Sequence, residues 1–268
     1  MKQTQLLIAA LFFAGIVSNT GAAPLGFGVD GDTTDSTFYS IDFATGTGTT
    51  IGGVGGVGFS DVEALSFFGN TLYAIDDSSN QLITIDTTTG AGTAVGALGV
   101  SVTGPGLAIS ASGSAFMADQ FGGDLWTVNL GTGAATLLNG SIGADLDGLT
   151  FLGNTLYGVD AGNDSLYTVD TVTGAASLVG AGGTLTGLST QSALATDGTW
   201  LYAGDDDGDY FRINPATGAA TVITTDGTDV EGLAIQQSTA VPLPTTLALL
   251  GIGLIGFGFT KRKNFNNR

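Results

Sequence analysis

Between residues 25 and 236 the chain repeats itself at intervals of about 43 residues, and self-similarity of this period restricts the fold more than any other feature. One motif is an apolar alternation ending in Asp or Asn, followed by a Thr-Gly turn and a second alternating run. It starts at Phe38, Leu82, Leu125, Leu166 and Tyr210, and its Asx positions are Asp42, Asp86, Asn129, Asp170 and Asn214, spaced by 44, 43, 41 and 44. A second motif precedes it, as in ALSFFGNTLYAID from Ala64 and GLTFLGNTLYGVD from Gly148. Each run alternates apolar and polar residues, as half-buried strands do, and Gly-Asn or Thr-Gly pairs separate the runs as hairpin turns do. Together the motifs predict four antiparallel strands per unit, here called a to d.

Four strands repeated every 40 or so residues predict an all-β chain folded as a β-propeller. The first unit has a strand b, Leu25–Asp30, but no strand a. The last unit is followed by a surplus strand-a segment, Gly232 to Ile235. If the surplus strand fills the gap, the ring has five blades and is latched by its C-terminal strand, which removes exposed sheet edges. The repeat resembles that of bacterial secreted propellers with short, degenerate blades, a resemblance that specifies fold and leaves function open.

The ends differ from this body. Lys2, the apolar run Leu6 to Val17 and the small residues Gly21, Ala22 and Ala23 have the form of a secretory signal peptide. At the other end Val241-Pro242-Leu243-Pro244 breaks regular structure, Thr245 to Thr260 is apolar and Gly-spotted, and Lys261, Arg262 and Lys263 follow. Basic residues after an apolar run hold that end in the cytoplasm, so the body would face outward. This tripartite tail resembles the PEP-CTERM sorting signal of Gram-negative bacteria that make exopolysaccharide, in the form with Leu243 between the two prolines. The resemblance implies an exosortase-type membrane transpeptidase as partner, transient inner-membrane anchorage and delivery to the outer surface or matrix. The alternative is a plain single-pass anchor. The expected organisation is a signal helix over 1–23, a propeller over 24–236, a linker over 237–244 and a transmembrane sorting tail over 245–268.

Charge and composition narrow the chemistry. There is no Cys and no His, which removes thiol and imidazole nucleophile–base pairs and the commonest transition-metal ligand. Residues 24–240 hold Arg212 as their one basic side chain against 24 Asp and Glu, a formal charge of −23. Such a body repels nucleic acid and attracts cations. No phosphate-cradling loop with Lys is present, and both Trp126 and Trp200 are expected on strands, in core packing.

Two acidic sets are candidates for binding. At the start of strand a, Asp61 and Glu63, Asp145 and Asp147, and Asp229 and Glu231 stand two residues apart, where an extended strand would point both carboxylates one way, toward the channel. Converging carboxylates suit a hard cation such as Ca²⁺. Descent from one acidic blade, with the acids merely ordering loops, explains the same pattern. The b–c hairpins carry a second set, including Asp30, Asp76-Asp77, Asp119, Asp160 and the run Asp205 to Asp209, which topology places on the same face. At any one blade an Asx turn at the hairpin tip is the simpler explanation, and the gathering of all five on one face is what points to a cation. The functional expectation is a non-enzymatic binding or scaffold protein, Ca²⁺-assisted and associated with extracellular polysaccharide. The alternative is a carboxylate- or Ca²⁺-dependent glycosidase or lactonase at the channel mouth, which would need carboxylates around an open cleft.

Overall fold

In a computed structural model, residues 25–31, 34–189 and 191–237 are described. The expected signal and tail helices lie outside them. The described chain is all-β apart from one 3₁₀ turn at Ala161–Asn163. It forms five separate four-stranded antiparallel sheets.

The first sheet comprises β1 (Leu25–Val29), β2 (Phe38–Asp42) and β3 (Thr47–Ile51), joined by the last strand, β20 (Gly232–Gln236), in the order β20-β1-β2-β3. The other four sheets run in chain order from inside to outside. They are β4 (Val62–Phe68), β5 (Thr71–Asp76), β6 (Gln81–Ile85) and β7 (Gly92–Ala97); then β8 (Pro105–Ile109), β9 (Ala115–Asp119), β10 (Asp124–Val128) and β11 (Ala135–Asn139). The last two are β12 (Gly148–Leu152), β13 (Thr155–Asp160), β14 (Ser165–Val169) and β15 (Ala176–Leu178); and β16 (Ser192–Thr196), β17 (Leu201–Asp205), β18 (Tyr210–Ile213) and β19 (Ala220–Thr224). The ring is therefore five-bladed and latched as expected, with Leu25 opposite Gln236 and Val29 opposite Gly232.

Local chemistry explains the repeat. Each c–d turn is built on its Asx residue. The carbonyls of Asp42, Asp86, Asn129, Asp170 and Asn214 accept the N–H of the Gly four residues on, at 2.7–2.8 Å. That Gly sits at φ +70° to +79° in all five blades, where a Cβ would be strained. The Asx side chain accepts a further N–H, as from Thr88 to Asp86 at 2.8 Å and from Ala216 to Asn214 at 2.9 Å.

The apolar alternation buries one cluster in each seam between blades. Phe27 and Phe38 stack at 5.3 Å and pack with Val62, Leu65 and Ile83 between the first two blades. Tyr210, Val230, Leu233 and Ile41 close the fifth seam against the first. Burying each such side chain stabilises by about 1.5–3 kcal/mol, so the seams hold the ring together.

The innermost strands β20, β4, β8, β12 and β16 meet their neighbours around the axis. Their approach is close enough to demand small residues. A Cβ on Gly148 would stand 2.6 Å from the backbone nitrogen of Leu194, and one on Gly106 2.6 Å from the carbonyl oxygen of Asp147. The equivalent positions are Ala64, Ala193 and Gly232, and the next residue is leucine in all five blades: Leu65, Leu107, Leu149, Leu194 and Leu233. These leucines are buried and close the bore, leaving about 10 Å³ around the axis.

Candidate functional site

Directly outside the leucines, the five strand-a starts present Glu63, Pro105, Asp147, Ser192 and Glu231 at equivalent positions. With Gln120 and Gln191 they surround a space of about 10 Å³ at the channel mouth. Glu63 is 9% and Asp147 6% exposed. Asp147 Oδ2 accepts the N–H of Ala161 at 2.8 Å, whereas Oδ1 has no hydrogen-bond partner among the described residues. Glu63 Oε2 has none either. Burial, reinforced by the charges of Asp77, Glu231 and Asp61, pushes the Glu63 carboxyl up to about 9. Burial likewise pushes Asp147 up to about 8, with Asp160 and Asp145 adding to it and the Ala161 N–H opposing it.

Asp61 and Glu63 come together in the second blade, though not by strand alternation, since Asp61 precedes β4. There Asp61, at φ +64°, and a register shift between Val62 and Ala64 make Glu63 a bulged residue. Asp61 O accepts the N–H of Asp77 at 2.9 Å, tying the b–c turn to the start of β4. One carboxylate oxygen from each of Asp61, Glu63 and Asp77 then lies within 4.8 Å of the others. Burial and the neighbouring Asp61 raise Asp77 to about 6, with the Gly104 N–H opposing. In the other two pairs Asp145 and Asp229 are exposed, Asp147 is buried and Glu231 is partly buried, lining the cavity beside Asp229. Strands β12 and β20 begin only at Gly148 and Gly232, so extended-strand alternation does not govern the acids before them.

Beside the mouth, at the first, second and fifth blades, opens a cavity of about 670 Å³. Asp30, Asp61, Asp206, Asp229 and Glu231 line it together with Tyr39, Gln191 and Thr228. It is of the size that takes a small organic ligand. Tyr39 donates its hydroxyl to Asp30 at 2.9 Å, and burial followed by Asp30 raises it to about 12. Gln191 Nε2 donates to Glu231 Oε1 at 3.1 Å. Arg212 is the one basic side chain among the described residues, and it lies elsewhere, with its guanidinium carbon 4.7 Å from the centre of the Trp200 ring. The two acidic sets thus share one face.

Most of the b–c acids serve the turns. The Asp at the end of strand b accepts hydrogen bonds within its own hairpin at Asp30 and Asp76, and at Asp119, Asp160 and Asp205 it also binds the hairpin to the neighbouring d–a loop. Fully buried Asp205 accepts from Asp209 at 2.8 Å, Asp207 at 3.2 Å and Ser189 at 2.9 Å. Asp160 accepts from both nitrogens of Asn163 and from the Asp145 N–H. This is the work of Asx turns, and it accounts for the run from Asp205 without a calcium loop. Gln120 and Gln191 at the mouth were not anticipated, because they come from different loops and share no motif. Trp200 corrects an expectation: it precedes β17 at the a–b turn, partly exposed under Arg212, while Trp126 on β10 packs partly buried against the second seam.

Comparison with known proteins bears on both the ring and the tail. A chain of the crystal structure of a nidogen/laminin complex is similar over 76% of this chain and 80% of its own, at 16% identity and a TM-score of 0.52. That likeness shows the fold alone. No curated protein matches the chain. Residues 240–263 match the PEP-CTERM protein-sorting motif, which implies an exosortase-type processing enzyme as partner, export, and membrane-anchored transit to the cell surface. The chain is therefore an exported five-bladed β-propeller that carries a PEP-CTERM sorting motif behind its closing strand.

Proposed function

We propose that this protein is a non-enzymatic binding module, displayed at the outer surface or in the matrix of a Gram-negative cell. Its acidic face would hold extracellular polysaccharide with Ca²⁺ as the bridge. The observation that carries this reading is the division of space on that face. The bore is plugged by five leucines, and the carboxyls at its mouth surround about 10 Å³, too little for a sugar ring between an acid and a nucleophile. The open space is the neighbouring 670 Å³ cavity, lined by carboxylates and hydrogen-bonding groups without a basic side chain. Hydrolysis by a carboxylate pair would need the reverse arrangement.

The reading is tested by passing the protein over an immobilised carboxylated polysaccharide with Ca²⁺ and then with EDTA. Retention with Ca²⁺ and release by EDTA is the expected result. Equal behaviour in both buffers, or glycan turnover, would refute it.

A further inference from the structure

We propose that Asp61, Glu63 and Asp77 form a Ca²⁺ site at the joint between β4 and the β5–β6 turn. This deepens the cation-assisted reading above, on which it rests. One oxygen from each residue lies within 4.8 Å of the others, and Ca²⁺ bound at 2.3–2.6 Å from its ligands separates them by up to about 5 Å. Two independent features point to a ligand there. Glu63 is 9% exposed, yet its Oε2 has no hydrogen-bond partner among the described residues. A buried carboxylate oxygen in that state is costly unless something else meets it. In addition, the bulge that turns Glu63 toward the acids occurs in strand a of this blade and no other. Among the described residues the one basic side chain, Arg212, is committed to Trp200, so no protein cation neutralises the three acids. Three carboxylates can supply up to six oxygens, and water can complete the shell.

The test is calorimetric titration of Ca²⁺ into the chain with its C-terminal tail, in detergent, with circular dichroism to confirm that each variant is folded. The expected result is one Ca²⁺ per chain, with binding weakened about tenfold or more in Asp77→Asn and Glu63→Gln and within about twofold of the parent in Asp145→Asn. Asp77 lies in a turn, so its variant stays informative if Glu63→Gln misfolds. Loss of binding in Asp147→Asn or Glu231→Gln with Asp77→Asn unchanged would move the ion to the axis, overturning this site and sparing the cation-assisted reading. No binding at millimolar Ca²⁺ would overturn both.

A different observation carries a second inference. Leu25 pairs with Gln236, so both chain ends leave the ring side by side. Strand β20 runs from Glu231 at the acidic mouth toward the opposite face, where Gln237 Nε2 donates to Thr196 O at the a–b turn of the fifth blade, at 2.6 Å. We infer that the membrane-held protein stands on its a–b and c–d turns and turns its acidic mouth away from the bilayer. Nine residues from Gln236 to Thr245 extend to about 30 Å at most. Reaching the acidic side from the innermost strand means passing three inter-strand gaps of about 4.8 Å and a strand height of about 17 Å, which consumes that whole length.

The absence of Cys allows a direct test with single Thr89→Cys and Asp145→Cys variants, one on each face. Each would carry a fluorophore in liposomes whose headgroups bear a nitroxide quencher. Several-fold stronger quenching at residue 89 is expected. Equal quenching, the reverse order, or failure of the chain to float with the liposomes would overturn the orientation.

Discussion

The Asp147 carboxyl gives the ring a pH dependence of definite sign. In the folded chain it keeps its proton up to about pH 8, whereas its ordinary value is 3.8. Above about pH 4 the unfolded chain has released a proton that the folded chain still holds. Raising the pH therefore costs stability throughout the interval, by 1.36 kcal/mol per unit for a fully titrating group. From pH 5 to pH 7 the cost is about 3 kcal/mol. For a domain of this size, 1 kcal/mol moves the melting temperature by about 2–4 °C, which gives about 6–12 °C. Asp147→Asn isolates this contribution, since an amide oxygen can still accept the Ala161 N–H and the amide does not ionise. Melting curves of parent and variant, recorded in EDTA at pH 5 and 7, should diverge by that amount, with the variant gaining at pH 7. Parallel shifts would mean that Asp147 is already ionised in the fold, and the argument from its burial would fail.

The turn, seam and surface assignments make further predictions. Asp205→Ala removes the acceptor of three backbone N–H groups at a fully buried position and should cost about 2–4 kcal/mol by urea denaturation. Leu233→Ala, 1% exposed on the closing strand, should cost about 2–5 kcal/mol, and the same assay would contradict the latch if it proved neutral. Gly148→Val should destabilise more than Ala193→Val does, because a Cβ at Gly148 meets the backbone of β16 at 2.6 Å, a contact that cannot rotate away. Trp200→Ala should cost no more than about 1 kcal/mol beyond its lost packing, since its partner Arg212 is exposed.

The ring was readable from sequence because its determinants are local. An Asx residue, a Gly four residues later at positive φ and alternating apolar positions specify each hairpin without reference to the rest of the chain. Closure was readable because the surplus Gly232 to Ile235 segment has one vacancy of its own type to fill. The acidic face followed from the up-and-down order of strands. The pairing of oxygens within it did not. Period-two reasoning assumes that a residue belongs to a strand, and Asp61, Asp145 and Asp229 all precede theirs. Asp77 was visible as a hairpin acid, but its meeting with Glu63 depends on a bulge, and no composition or spacing announces an extra residue in a ladder. Gln120 and Gln191 converge from the third and fifth blades through the ring geometry alone.

Blade number and the chemistry of the mouth are linked by the same close packing. Five inner strands enclose so narrow an axis that one strand-a position must be Gly or Ala and the next is filled by leucine. Residues one step outside that plug cannot reach bulk water through the bore, and they are shielded on their flanks by adjacent strands. Where no cavity opens beside it, a carboxylate at this level is therefore desolvated by the ring itself, and Glu63 and Asp147 are pushed upward for that reason first, whereas Glu231 at the same level lines the open cavity. A wider ring with the same acids would let water in and leave them ionised. The buried acids of this mouth thus hold protons because the ring is small. At Glu63 the bulge adds two nearby carboxylates, and there a divalent cation can take the proton's place. At Asp147, whose nearest acids Asp145 and Asp160 are an exposed side chain and a turn cap, the proton stays. Two carboxyls at equivalent positions of one repeat are in this way given different partners by a single residue inserted in a ladder.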